Sequence, residues 1–255
     1  MPRPALFTAA SAAALAVVGV IALPAAADTQ KGDAKVLAAS INGGKPIVVG
    51  PSGAAAFTVR VKASDPTGVD RLNTVLYRGP LNNPDAGLTA SGPRECTALT
   101  ATTSRCVHEY KVDAGYFTHA DAGHWSLVAV AYGKDDDYYA DDVAATTRIQ
   151  RAAHITVNAP PEPARTGKPL SVTGKLTRAN WETHTMRGYS GQKVNLQFRA
   201  AGALAYTTVK TVTTDAKGEL RTTATAAKDG TWRWQYAGTT STAAVNSTGD
   251  FVDVR

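Results

Sequence analysis

Five aspartates fall within eight positions of the segment KDDDYYADDV, which spans residues 134–143. Calcium takes about six to eight oxygen ligands, and a loop rich in carboxylates can supply several of them. The candidate ligands are Asp135, Asp136, Asp137, Asp141 and Asp142. Two interpretations stay open: a calcium site, or a solvated hairpin tip whose repelling charges keep a sheet edge from pairing with a neighbour.

The spacing of these aspartates matches no standard calcium motif. An EF-hand loop needs a glycine at its turn and a glutamate at its end, and neither is present. Consecutive side chains of a strand point to opposite faces, so all five could not converge from a strand, whereas a loop would let some of them do so. Asp65 and Asp70 lie in ASDPTGVD, where an aspartate before Pro-x-Gly is typical of a turn. We expect that turn role for Asp65, with cation binding at the end of a sandwich as the alternative.

No motif of a known catalytic centre occurs in the chain. Nucleophile elbows, zinc-protease helices and phosphate-binding loops are all absent from the sequence. His119 and His124 lie five apart beside acidic residues, but a zinc site would need a further defined ligand. We therefore predict a protein that is not an enzyme, with calcium as the one candidate cofactor.

Aromatic residues offer a different chemistry, the stacking of sugar rings. Trp232, Trp234 and Tyr236 share one face of a predicted strand, which favours a sandwich core over an exposed platform. Trp181 lies in the loop-like segment RANWETHTMRGYSG, so we expect it to be exposed and, with Tyr189, to be the better candidate for contacting a ligand. A carbohydrate-binding accessory protein is the alternative function.

The first 27 residues predict a secretory signal peptide. Arg3 precedes an apolar, alanine-rich run, and Ala25-Ala26-Ala27 supplies the small residues that signal peptidase requires. Cleavage after Ala27 would leave a secreted, extracellular protein with no stable membrane anchor. In such a protein the isolated pair Cys96 and Cys106 predicts a disulfide bond.

The composition is that of a globular, mildly basic chain. It has 255 residues, 44% of them hydrophobic, and 27 Lys and Arg against 21 Asp and Glu. The basic residues are spread along the chain and match no nucleic-acid-binding motif, so we predict no nucleic-acid partner. The charge indicates solubility and a weak affinity for anionic polymers of the cell envelope. The partner itself is unknown; a glycan of the cell wall or surroundings, or another protein, is expected.

Apolar and polar residues alternate with period two through most of the chain after residue 28. The segments FTVRVKAS, VNLQFRA and TWRWQYAG are examples, and turn sequences such as SDPTG and TDAKG separate them. Short strands at nearly regular spacing predict antiparallel β-sandwiches. The proline-rich APPEPARTG suggests a boundary, which gives one sandwich over 28–152, carrying the disulfide and the acidic loop, and a second over 153–255.

The second half, from GKPLSVTGKL to GDFVDVR, resembles the C-terminal immunoglobulin-like domain of a secreted actinobacterial family. The first half is also similar to that family in its GGKPIVVG, its ASDPTGV, its cysteine pair and its AGHW before an acidic segment. The family is poorly characterised, and its members often carry a calcium-binding label. The resemblance implies an exported, all-β protein of two tandem immunoglobulin-like domains, acting as a binding or structural module of the cell surface or extracellular space.

Overall fold

A computed structural model describes residues 28–92 and 94–255. The predicted signal peptide, residues 1–27, lies outside the described residues. Strands dominate the described part, and its helical elements are three short 3-10 turns, Asn42–Gly44, Ala114–Tyr116 and His119–Asp121. None of its helices is long and apolar enough to cross a membrane.

The first sandwich consists of ten strands in two facing sheets. They are β1 (Thr29–Lys31), β2 (Lys35–Ile41), β3 (Ile47–Val49), β4 (Ala54–Ser64), β5 (Val69–Arg78), β6 (Ala86–Thr89), β7 (Arg94–Ala98), β8 (Thr103–Asp113), β9 (Gly123–Gly133) and β10 (Tyr138–Arg151). One sheet has the order β2-β4-β8-β7. The other has the order β1-β10-β9-β5-β6, and β3 adds to β10 in parallel.

This strand order is the immunoglobulin topology. An immunoglobulin sandwich places its strands A, B, E and D in one sheet and C, F and G in the other. Here β2, β4, β8 and β7 take the places of A, B, E and D, while β5, β9 and β10 take those of C, F and G. The predicted fold class, all-β with antiparallel immunoglobulin-like sandwiches, is therefore confirmed.

The second sandwich also consists of two antiparallel sheets, and most of its strands are shorter. They are β11 (Ala153–Ile155), β12 (Pro169–Asn180), β13 (Thr185–Gly188), β14 (Lys193–Ala200), β15 (Thr207–Thr213), β16 (Glu219–Thr225), β17 (Gly230–Tyr236), β18 (Val245–Asn246) and β19 (Asp250–Val252). One sheet is formed by β11, β12, β13 and β16, and the other by β15, β14, β17, β18 and β19. Along β17 the predicted inward residues Trp232, Trp234 and Tyr236 are all buried, which confirms their assignment to the core.

Each sandwich encloses its own hydrophobic cluster. The first cluster is built from alternating residues such as Val59 and Val61 of β4, which face Leu127 and Ala129 of β9. The second runs from Ile155 to Val252. The domain boundary at 152/153 stays a prediction. One strand of the second sandwich contributes residues to both hydrophobic clusters.

That strand is β12, whose end carries Trp181 into the first sandwich. The side chain is 1% exposed and belongs to the first hydrophobic cluster, where its ring lies 5.3 Å from that of Phe117. Its indole N–H donates to the carbonyl of Gly50 at 2.9 Å. The exposure predicted for Trp181 is therefore wrong. The residue is a buried contact at the junction of the two halves of the chain.

A buried arginine secures the same junction. Arg151, at the end of β10, is 6% exposed, and its Nε donates to the carbonyl of Ala179 at 2.6 Å. Burial, with the nearby charge of Arg178, lowers the pKa of the Arg151 guanidinium to about 10. Gln150 donates to the carbonyl of Thr239 at 2.6 Å. These hydrogen bonds connect the two sandwiches at the junction.

The predicted disulfide is present. Cys96 on β7 and Cys106 on β8 lie directly opposite each other in the register and are bonded. The bond therefore joins neighbouring strands of one sheet, whereas the disulfide of antibody domains joins the two sheets. Closing so short a loop stabilises the fold by about 2 to 3 kcal/mol in the chain-entropy account.

A buried polar triad bridges the two sheets of the first sandwich. Thr74 on β5 has its Oγ1 2.6 Å from Nδ1 of His108 and 2.8 Å from Oη of Tyr110, both on β8. The Tyr110 hydroxyl also donates to the carbonyl of Thr74. His108 is 1% exposed, and its Nε2 has no hydrogen-bond partner within the described residues. Burial, and then the positive charge of Arg94, lower the pKa of His108.

We expect this histidine to make the protein acid-sensitive. Below about pH 6.5 the unfolded chain binds a proton at His108 that the folded protein resists, so stability falls as pH falls towards the lowered folded pKa. Each unit of lowering corresponds to about 1.4 kcal/mol. Urea unfolding at pH 7.5 and pH 5 should show this loss in the native protein and a smaller one in His108→Phe. The exposed-histidine variant His154→Asn should keep the native dependence, and equal losses in all three proteins would refute the assignment.

Candidate metal centre

Three loops meet at the end of the first sandwich that is remote from the junction. They are the β4–β5 turn at 65–68, the β7–β8 turn around Thr102 and the β9–β10 turn at 134–137. Backbone hydrogen bonds hold them together: Asp65 N–H donates to Thr102 O at 2.8 Å, and Lys134 N–H donates to Gly68 O at 3.1 Å. The immunoglobulin order places these loops at one end because alternate antiparallel connections lie on the same side.

Asp65 is a buried aspartate at this end of the first sandwich. One carboxylate oxygen, Oδ1, accepts from the backbone N–H and the hydroxyl of Thr67, at 2.8 and 2.6 Å. These bonds confirm the turn role expected for an aspartate before Pro-x-Gly. The side chain is only 1% exposed, and its second oxygen, Oδ2, has no hydrogen-bond partner within the described residues. A buried carboxylate oxygen without a partner is costly, so this oxygen is available to a cation or to a water molecule.

Asp135 and Asp137 bring two further carboxylates to Asp65. One ligand atom from each of the three residues can be chosen so that all lie within 4.8 Å of one another. Gly133 lies between them: a Cβ built on it would clash with Asp65 Oδ2 and would lie 2.7 Å from Asp135 Oδ1. We call this cluster of Asp65, Asp135 and Asp137 around Gly133 the acidic tip.

The start of the described chain also contacts the acidic tip. The backbone N–H of Asp33, in the turn between β1 and β2, donates to Asp137 Oδ2 at 2.8 Å. Gly32, with φ of 76°, packs so tightly against that carboxylate that no side chain would fit. Asp137 therefore links the β9–β10 turn to the segment that leads into β2.

Nearby cations do not neutralise the acidic tip. Lys35 lines a cavity of about 370 Å³ beside Asp65, and the Lys134 side chain lies over Gly68. Within the described residues, neither lysine forms an ion pair within 4.0 Å. Three carboxylates thus converge without a counter-charge at contact distance, which favours a bound cation.

The other aspartates of the acidic run lie elsewhere. Asp136 is exposed, with φ of 65°, and takes no part in the cluster. Asp141 and Asp142 belong to β10, where they lie near Asp28: the Asp142 N–H donates to Asp28 Oδ1 at 3.3 Å. The predicted set of five therefore does not form one site, because β10 begins at Tyr138 and carries the last two away from the turn.

The group around Asp28 has its own electrostatics. Partial burial raises the pKa of Asp141, opposed by the hydrogen bond from the Val143 N–H, and the charges of Asp28 and Asp142 raise it further. The Tyr139 hydroxyl donates to Asp28 Oδ2 at 2.5 Å, and this bond is the main reason that its pKa rises to about 12. Hydrogen bonds already engage both oxygens of Asp28, which distinguishes this group from the acidic tip.

The histidines join no metal cluster in the described part of the chain. His119 instead lies 3.3 Å from Glu182 across the junction. Tyr189, the second candidate ligand contact, is half-buried: the Arg178 guanidinium lies 3.8 Å from its ring centre, and Tyr236 packs edge-on against it. One face of the ring is therefore covered, and contact between Tyr189 and a ligand stays a prediction.

Sequence reasoning did not single out Gly133. Its only signal was its place directly before the acidic run, in YGKDDD. For Asp65 the sequence predicts a role in a turn, with cation binding as the alternative. In the structure Oδ1 accepts the hydrogen bonds of the turn, while Oδ2 lies close to Gly133, between the carboxylates of the acidic tip.

No family profile and no curated protein sequence matches this chain. Among solved structures, similarity is found to a protein described as membrane-anchored from Corynebacterium diphtheriae, at 12% identity, over 85% of this chain and 53% of that one, with a TM-score of 0.32. The D00–D0 domain of intimin is 12% identical over 84% of this chain and 98% of its own, with a TM-score of 0.27. The polymeric Ig receptor ectodomain of a teleost fish is 11% identical over 86% of this chain and 98% of its own, with a TM-score of 0.28.

This chain spans about half the length of the corynebacterial protein, 53%. TM-scores and identities this low carry no argument about function. The assignment of the immunoglobulin topology rests on the strand order given above.

Proposed function

We propose that this protein is an extracellular, non-enzymatic binding or structural module whose first sandwich binds calcium at the acidic tip. The observation that carries the proposal is Oδ2 of Asp65, a buried carboxylate oxygen that has no hydrogen-bond partner in the described part of the chain and faces two further carboxylates. Extracellular location is supported by the disulfide and by the signal-peptide pattern of the first 27 residues.

The donor set favours a hard, oxygen-seeking cation. Three carboxylates and no thiolate or imidazole suit calcium or magnesium better than zinc. Magnesium requires a small octahedral shell, whereas calcium accepts irregular sets of carboxylates, carbonyls and water. A loop-built site with one buried and two more accessible carboxylates therefore fits calcium better.

Calcium binding would order the tip. The ion would relieve the repulsion among Asp65, Asp135 and Asp137, and through Asp137 it would hold the β1–β2 turn against the β9–β10 turn. Calcium sites of extracellular modules have dissociation constants of about 10⁻⁴ to 10⁻³ M, which suits the calcium-rich extracellular space.

We expect calcium to raise the melting temperature. At a hundredfold excess over Kd, a ligand that binds only the folded state stabilises it by about 2.7 kcal/mol. For a chain of this size the shift is about 5 to 10 °C. Melts of the mature protein would be compared in calcium, in magnesium and in sodium chloride of equal ionic strength, after removal of bound metal with EDTA.

Two matched variants test the assignment. Asp65→Asn keeps an acceptor for Thr67 but removes the charge at Oδ2, so it should abolish the calcium shift and leave the metal-free protein at least as stable. Asp136→Asn removes a charge from the same turn outside the cluster, at a positive φ that asparagine tolerates, and should keep the full shift. The proposal fails if calcium does no more than sodium chloride, or if both variants respond alike.

The alternative function, a carbohydrate-binding accessory protein, keeps Tyr189 as a candidate contact but loses the support of Trp181 and of the β17 aromatics. Trp181, Trp232, Trp234 and Tyr236 are all at most 5% exposed and fill the interior, so none offers a ring face to a sugar.

A further inference from the structure

The outer face of the sheet β2-β4-β8-β7 carries an excess of positive charge. Because buried and exposed residues alternate along its strands, Arg60 and Lys62 of β4 point outward, as do Arg105 and Lys111 of β8. Three acids, Glu95, Glu109 and Asp113, share the strands β7 and β8. We call the outward surface around Arg60, Lys62 and Arg105 the basic face.

Two of these cations oppose each other directly. Lys62 and Arg105 are register partners in the antiparallel pair β4–β8. Like charges opposite each other across strands destabilise a sheet. None of the three cations of the basic face forms an ion pair within 4.0 Å among the described residues. The fold therefore keeps two like charges opposite each other, and an anionic ligand would relieve their repulsion.

Small side chains make room between the cations. On the neighbouring strand β2, Ala38 lies opposite Lys62, and Ser40 lies opposite Arg60. A shallow depression of about 250 Å³ results, lined by Ala38, Ser40, Arg60, Lys62 and Arg105, among others. Its floor is formed by alanine and by the aliphatic stems of the long side chains, and its rim carries their charged ends.

We propose that the basic face binds an acidic polysaccharide, a chain of sugar rings that bear carboxylates. The aliphatic floor offers a surface to the C–H face of a sugar ring, and arginine matches a carboxylate with two parallel hydrogen bonds. Successive cations along β4 are about 6.8 Å apart, so consecutive charged groups of one polymer can be engaged. The basic face shares no residue with the acidic tip.

The test measures binding of polygalacturonate to the full mature protein at low salt, with EDTA present so that calcium cannot bridge polymer and protein. Arg60→Gln, Lys62→Gln and Arg105→Gln together should weaken binding at least about tenfold and lower the slope of log K against log salt by about 2. The control variant loses the same charge from the second sandwich, through Arg187→Gln, Lys210→Gln and Arg221→Gln. It should bind polygalacturonate as the native protein does. Equal weakening in both triple variants would overturn the proposal, because it would show an effect of net charge alone.

A single charge reversal separates binding from folding. Lys62→Glu places an acid opposite Arg105, so it should raise the resistance of the protein to urea while it weakens polygalacturonate binding. A variant that is both more stable and deficient in binding supports the proposal, whereas unchanged binding refutes it. Neutral dextran should not bind. Inorganic polyphosphate should bind more weakly than polygalacturonate of equal charge. Equally tight binding would show that the sugar ring contributes nothing to affinity, and it would overturn the choice of polysaccharide.

Discussion

Replacing Trp181 with alanine is expected to cost about 3 to 5 kcal/mol of stability, the usual range for a large aromatic residue removed from a core. The side chain is 1% exposed, packs against Phe117 and donates to the Gly50 carbonyl. Its loss would open a cavity in the first sandwich and leave that carbonyl without its indole donor. Urea unfolding followed by circular dichroism would measure the change.

The burial of Trp181 also leads to a prediction about the cooperativity of unfolding. Since the residue belongs to the second half of the chain but fills the first core, its removal should separate one unfolding transition into two. Trp181→Phe keeps most of the packing and loses the hydrogen bond, so it should cost less. Phe251→Ala, which removes an aromatic residue that is 52% exposed, should change stability by less than about 0.5 kcal/mol. A Trp181→Ala protein that unfolds as the native one does would contradict the assignment of the junction.

The second large effect is expected from Gly133→Ala. The new methyl group would clash with Asp65 Oδ2 and lie 2.7 Å from Asp135 Oδ1, in the space between the carboxylates of the acidic tip. Overpacking of this kind costs about 1 to 3 kcal/mol, and the loss of calcium would remove about 2.7 kcal/mol more at a hundredfold excess of the ion over Kd. Calorimetric titration with calcium should show no binding.

A matched glycine provides the control. Gly50→Ala lies at the opposite end of the same sandwich, where the new Cβ would come 3.3 Å from the Ser52 carbonyl, so its cost should be smaller and its calcium binding native. If Gly133→Ala bound calcium with native affinity, the carboxylates would not act together around Gly133, and the proposed centre would be wrong.

The alternation of apolar and polar residues predicts this fold because it is a local property. Phe57, Val59 and Val61 alternate with Thr58 and Arg60, and the same alternation buries the first three in the structure. The cysteine pair predicts its bond for a similar reason, since two isolated cysteines allow only one pairing within the chain. In both cases the neighbouring sequence contains the physical cause.

The candidate site could be predicted only in part because its residues converge through tertiary structure. Asp65 and Asp135 are about seventy positions apart, and only the immunoglobulin order brings the β4–β5 and β9–β10 turns to the same end. Asp141 belongs to the same acidic run, yet it lies in a strand that leaves that end. Nearness in sequence was thus a poor guide to nearness in space.

The error over Trp181 has the same origin. Its surroundings show no alternation, and a tryptophan in such a segment is buried only if another part of the protein covers it. Here the cover is supplied by residues more than sixty positions earlier, among them Gly50 and Phe117. No periodicity in the segment 178–191 could have revealed that contact.

The junction also determines how the molecule would respond to a mechanical load. The eleven residues of β4 run from the junction to the acidic tip, about 37 Å, and β12 runs from the far end of the second sandwich to Trp181. A force applied between the acidic tip and the far end of the second sandwich would therefore act on both sandwiches and on the junction between them. Because the buried indole ring of Trp181 and the hydrogen bond from Arg151 to Ala179 connect the two sandwiches, we expect these contacts to carry the load across the junction.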